Sequence, residues 1–201
     1  MRKLMLMALS IGALVAFMAP AAAQAVELTE NGTALTPGAE VTATSSNLVT
    51  TTQGGVFECG SVVLHLTVGT NGPEHVTLTQ DGVATAANCE LNQTGIGKGH
   101  LPATITDGTI GEMTINEAGE GEASATFIDD VYANAAHTIL ALSCHAEGQV
   151  SVQGVAGTDE LIVNPSPLTI TNPGCPPSGT IEGTFTLETS GTPVTPVELD
   201  F

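Results

Sequence analysis

The chain has almost no positive charge and very little aromatic surface. Three Lys and Arg stand against 21 Asp and Glu, Trp is absent, and one Tyr and five Phe make up the aromatics of 201 residues. So few cations cannot neutralise a run of phosphates, which excludes nucleic acid as a partner. A formal charge of −18 also disfavours anionic lipid. Few rings means no stacking platform for sugars. Catalytic signatures are missing as well. There is no G-x-S-x-G nucleophile turn, and His65, His75, His100, His137 and His145 are scattered without neighbours that mark a general base. The four Cys are isolated, with no C-x-x-C pair to suggest zinc. No catalytic residue is assigned, and the chain reads as a non-enzyme. Disorder is excluded by composition: apolar residues reach 42% and charged residues only 12%, enough for one core.

Long apolar runs are limited to one. Arg2 and Lys3 precede an apolar stretch from Leu4 to Met18, Pro20 breaks it, and Ala23-Gln24-Ala25 has the small-x-small pattern that a signal peptidase accepts. The expectation is a signal peptide over residues 1–25, cleavage after Ala25, and a protein secreted or held at the exterior of the cell envelope. No second long apolar run follows, so no membrane insertion is expected after cleavage. Removing residues 1–25 leaves 176 residues in which Lys98 is the only Lys or Arg against all 21 acids, a formal charge of −20. Salt bridges therefore cannot hold this fold together. Self-repulsion makes its stability rise with added salt.

Export gives the cysteines a meaning. Cys59, Cys89, Cys144 and Cys175 predict two disulfides. Three pairings are open. Joining sequence neighbours, Cys59 to Cys89 and Cys144 to Cys175, is favoured because each pair then lies within one stretch of short strands.

What is abundant is Thr, Val and Gly in a period of two. Val150 and Val152 alternate with Gln149, Ser151 and Gln153, and Val62, Leu64, Leu66 and Val68 alternate with polar positions including His65 and Thr67. Ile181, Phe185 and Leu187 form a third inward row, in which Gly183 predicts a bulge or a close backbone approach. Asp81-Gly82 and Asp107-Gly108 read as two-residue hairpin turns. One stretch, Val131 to Leu142, has a weak helical spacing, but a turn around Tyr132–Ala136 followed by a strand suits it better. The result is an all-β fold, an antiparallel β-sandwich or partly closed barrel with two disulfides, forming a single domain over residues 26–201.

Leu28-Thr29-Glu30-Asn31-Gly32 through Gly38, Val41 and Asn47-Leu48, together with Cys175-Pro176-Pro177-Ser178-Gly179 and Gly183-Thr184-Phe185-Thr186-Leu187, resemble an uncharacterised family of secreted β-rich proteins of high-GC soil bacteria. The resemblance implies export, sparse cysteines and a strand-rich fold. It has no assigned activity and brings no site residues.

Among ligands, Ca²⁺ suits the acids best. Glu117, Glu120 and Glu122 are interleaved with Gly119 and Gly121, and Asp129-Asp130 follow, so hard oxygen ligands lie on a glycine-rich segment. The bland reading is a solvated acidic loop. No other cofactor is expected. The functional expectation is a secreted, non-enzymatic acidic β-sandwich that acts by surface interaction or as a structural module, its partner an unknown protein or small molecule. The alternative is a carrier of a small apolar ligand between the sheets, which an apolar cavity of roughly 300 Å³ or more would favour.

Overall fold

The computed structural model describes residues 26–93, 99–191 and 193–201. The expected signal peptide and Lys98 lie outside the described residues. All 21 acids lie within them, and no Lys or Arg does.

The expected period of two is realised as an antiparallel ring. Its first position is shared by β3 (Glu40–Ser45) and β4 (Val49–Thr52), which lie end to end against β5 (Gly55–Asn71). The other edge of β5 takes β6 (His75–Gln80) and β7 (Thr85–Gln93), again end to end. Next come β8 (His100–Ile110) and β9 (Met113–Asn116), then β10 (Glu120–Tyr132), β11 (Leu140–Gly154), β12 (Glu160–Thr171) and β13 (Ser178–Thr189). β13 pairs back onto β3 and β4, closing the circuit. Eleven strands, three pairs of them end to end, thus occupy eight positions of an up-and-down barrel. Closure is what the expected sandwich-or-barrel left open, and it removes the free strand edges that invite aggregation.

Pleating sends alternate residues to opposite faces. The inner rows are apolar: Val62, Leu64, Leu66 and Val68 on β5, Ala123, Ala125, Phe127 and Val131 on β10, Val150 and Val152 on β11, and Ile181, Phe185 and Leu187 on β13 are all buried in one cluster. The outer rows carry Thr, Ser, Gln and Glu. Such a wall, polar outside and apolar inside, is the inverse of a lipid-facing barrel. Among the described residues, no helix is long and apolar enough to cross a membrane.

A second, three-stranded sheet joins the first and last described strands: β1 (Glu27–Glu30) lies between β2 (Thr33–Ala34) and β14 (Val197–Asp200). Val26, Leu28, Val197 and Leu199 lose all exposure where this sheet packs at one end of the barrel. Asn71, the last residue of β5, fastens it. Its side-chain oxygen accepts from Leu28 N at 2.7 Å, and its amide donates to Leu28 O at 2.9 Å and Leu35 O at 2.8 Å.

Both Asp-Gly pairs depart from expectation. Asp107-Gly108 lies inside β8, and Asp81-Gly82 separates β6 from β7 along one continuing edge of β5, so neither turns a hairpin. They are adjacent irregularities in neighbouring strands. Asp107 and Gly82 take positive φ (51° and 74°), and the β8–β10 register shifts between Thr126 and Ile128. The ladder bonds lost there are supplied by Gln80, whose amide donates to Gly82 O and Gly108 O and whose carbonyl accepts from Ile110 N. A dipeptide able to adopt positive φ suits a bulge as well as a type I′ turn. Here the long partner strands, β5 beside Asp81-Gly82 and β10 beside Asp107-Gly108, decide for the bulge.

Gly183 does mark a close approach. A Cβ there would lie 2.9 Å from Leu48 Cα and 3.1 Å from Asn47 O. Both are backbone atoms, which yield only by moving the chain. Gly183→Ala is therefore expected to cost about 1–3 kcal/mol, the typical range for overpacking. A thermal or urea melt checks this; an unchanged midpoint would show that the β4 side relaxes freely.

The two disulfides are Cys59–Cys89 and Cys144–Cys175, the favoured pairing. The first joins directly opposed residues of β5 and β7. The second ties β11 to the turn before β13.

Candidate functional site

The barrel interior is nearly filled. Among the described residues it holds a cavity of about 80 Å³ bounded almost throughout by apolar atoms, among them those of Phe57, Ile105, Met113, Phe127, Val152 and Phe185. That falls well short of the 300 Å³ that would suit a ligand of ordinary size. An apolar void of this kind does not attract water, because water needs two to four polar partners.

Among the described residues one ionisable side chain is buried on the inner side of the wall. Along β10 the inward row reads Ala123, Ala125, Phe127, Asp129, Val131, and Asp129 is only 6% exposed. Its register partners are Ile105 on β8 and Cys144 on β11. Ile105 and Phe127, which line the cavity, therefore flank Asp129 across and along the sheet. The Oδ1 atom is buried and has no hydrogen-bond partner. Burial, reinforced by the neighbouring charge of Asp130, pushes its carboxyl up to about 8. At neutral pH it is held mostly as the neutral acid, able both to donate and to accept.

The acids expected to gather around Ca²⁺ do not form one cage. Glu117 lies in the β9–β10 turn, Glu120 and Glu122 point outward at the start of β10, and Asp130 points outward about 26 Å further along the same strand. Asp129 points the other way, because successive residues of a strand face opposite sides. Among the described residues no three His, Cys, Asp or Glu side chains are placed to hold a metal ion. Glu120 and Glu122 do share an open groove with Glu112, Gln149 and Gln153. A second open groove holds His65 with Glu40, Asp81 and Glu188.

A further polar cluster lies on the wall where β5, β7 and β8 meet. Glu58 and Glu90 are directly opposed, and Asn92 opposes His100. His100 Nδ1 lies 3.1 Å from Glu90 Oε1, and its hydrogen bond holds the Glu90 carboxyl below its ordinary value. Asn92 donates to Glu58. His137 is occupied differently: its ring stacks on Tyr132 with centroids 4.9 Å apart, beside a loop whose Asn134 side-chain oxygen accepts from Thr138 N and Ile139 N.

Asp129 is the residue that sequence reasoning misplaced. Its signal was present in the alternation, since it shares the parity of Ala123, Ala125 and Phe127. Grouping it with Asp130 by adjacency hid that. Two disulfides fit an oxidising compartment. No protein-family model, no curated protein and no solved structure matches this chain.

Proposed function

We propose that the protein is exported and works outside the cell as a non-enzymatic module, acting by its outer surface in interaction or as a structural element. The observation that carries this reading is the division of chemistry across the wall. The interior is apolar and almost filled, while the exterior bears nearly all the carboxylic acids and, among the described residues, no Lys or Arg. A surface of one sign repels copies of itself and favours cationic partners. The polar outer rows support a water-facing barrel. The sequence of residues 1–25 and the resemblance to exported proteins of soil bacteria support the export half.

Cell fractionation tests the reading. The expected result is a form lacking residues 1–25 in the medium or envelope fraction. Any envelope-bound share should be released by about 1 M NaCl, where the screening length falls to about 3 Å. Full-length protein confined to the cytoplasm would overturn it.

A second reading, carriage of a small apolar ligand, draws on the apolar cavity within the barrel. Its size of about 80 Å³ limits the occupant to a few carbon atoms.

A further inference from the structure

The acids are spread unevenly along the barrel axis. The registers fix one mouth, where Gly55 opposes Gln93, Asn92 opposes His100, Tyr132 opposes Leu140 and Thr52 opposes Gly179. Residues 53–54, 133–139 and 172–177 join strands there and contain no Asp or Glu, nor does the sequence between Gln93 and His100. The opposite mouth has Glu74, Glu117 and Asp159 in its turns and Glu27, Glu198 and Asp200 on the small sheet packed against it. The acid-free mouth also carries Ile139 and Leu140, 59% and 55% exposed, beside the partly buried Tyr132 and Leu142. We propose that two copies of the protein dock head to head through this mouth, forming a two-fold dimer whose acidic ends point outward.

Electrostatics single out a second copy as the occupant. Contact between two walls would bring outward carboxylates of one sign within a screening length, about 8 Å at physiological salt. Head to head, the nearest acids, Glu58, Glu90 and Asp130, lie three residues back from Gly55, Gln93 and Ala133. With about 3.3 Å per residue and a strand tilt of about 40°, facing acids stay roughly 15 Å apart, nearly two screening lengths. Among the described residues the mouth has no Lys or Arg to attract an acidic partner and no carboxylate in its turns to hold a basic one. What it offers is apolar contact, and a two-fold axis matches it with an identical patch. Eight strand positions about 4.8 Å apart give an end roughly 25 Å across with its side chains, so a pair buries on the order of 1,000 Å². That is the lower limit for a specific interface, and the dimer is accordingly weak.

Sedimentation velocity tests this on the oxidised protein without residues 1–25, a form that keeps all fourteen strands. Over about 5 to about 500 µM protein, the expected result is a monomer–dimer equilibrium with a Kd on the order of 10–100 µM in about 0.15 M NaCl. The dimer should tighten about three-fold or more in about 0.5 M NaCl, as the remaining repulsion is screened. Ile139→Glu sets two new carboxylates against each other across the axis and should weaken it about ten-fold or more, with an unchanged circular-dichroism spectrum. Val194→Glu adds the same charge at an equally exposed residue (59%) near the opposite mouth, and should change the Kd by less than about two-fold. A protein that stays monomeric at about 500 µM in about 0.5 M NaCl would overturn the dimer and leave export and outer-surface action standing. So would a dimer indifferent to Ile139→Glu, or a series of longer oligomers built by head-to-tail contact. Capture of the mouth by phosphatidylcholine vesicles, with the protein itself monomeric, would equally overturn it.

Discussion

Asp129→Asn should stabilise the protein at pH 8 and leave it almost unchanged at pH 4. The native carboxyl is pushed up to about 8 by burial, against roughly 3.9 in an unfolded chain. Between those values the folded state holds a proton that the unfolded state has lost. Stability therefore falls as pH rises across this window, by up to about 1.4 kcal/mol per unit. Below pH 4 both states are protonated and the penalty vanishes; above pH 8 both are ionised and it stops growing. Asparagine cannot ionise, so the gap between variant and wild type should widen from within about 1 kcal/mol at pH 4 to roughly 5 kcal/mol at pH 8. At the acid end the two proteins are matched because each buries an unsatisfied polar group of similar shape.

The outer carboxylates complicate the raw profile, since their mutual repulsion is also relieved by acid. Salt separates the two effects. Repulsion across the exposed coat is screened at about 0.5 M NaCl, whereas the desolvation of a buried carboxyl is not. Urea unfolding of both proteins from pH 4 to pH 8 in that salt is the measurement. Parallel curves with a constant gap would mean that Asp129 is solvated or partnered in solution. A stabilising substitution at a buried position also bears on function, because tolerated instability commonly marks a site under other demands.

Removing both disulfides is the second large effect. Each bond closes a loop of about thirty residues (sequence separations 30 and 31), and each is expected to contribute on the order of 3–4 kcal/mol by restricting the unfolded chain. Together they approach the whole stability of an ordinary domain, about 5–15 kcal/mol. The variant with all four Cys changed to Ser should therefore be largely unfolded at 37 °C in low salt. The two bonds are not equivalent. Cys59 and Cys89 are both buried in the core, so Cys59→Ser with Cys89→Ser leaves two hydroxyls in apolar surroundings. Cys175 is only partly buried, and the Cys144→Ser, Cys175→Ser pair should be the milder. Circular dichroism melts of the two double variants and the quadruple variant check the order. A quadruple variant as stable as the oxidised protein would show that packing and ladder hydrogen bonds alone hold the ring.

Strand chemistry was legible along the chain because a pleated strand writes its burial in a period of two. The rows at Val62–Val68 and Ile181–Leu187 and the tight contact at Gly183 follow from that local rule. Disulfide pairing was favoured by the sequence and not fixed by it: three pairings were open, and the structure has the one that joins sequence neighbours. The Asp-Gly dipeptides were ambiguous in principle: positive φ serves a hairpin turn and a bulge equally, and only the partner strands running past them, β5 beside β6 and β7 and β10 beside β8, settle which.

The acids divide in the same way. Adjacency suggested that Asp129 and Asp130 act together, while strand geometry sets them on opposite faces of the wall. By itself the sequence determined the all-β class, the inward rows and the single-signed surface, because each depends on residue type and short-range spacing. Tertiary structure alone decided that β13 returns to β3 and β4, that β1 pairs with β14, and that a lone carboxyl is buried on the inner side of the wall. Those outcomes depend on contacts between segments far apart in the chain, where no local period carries the information.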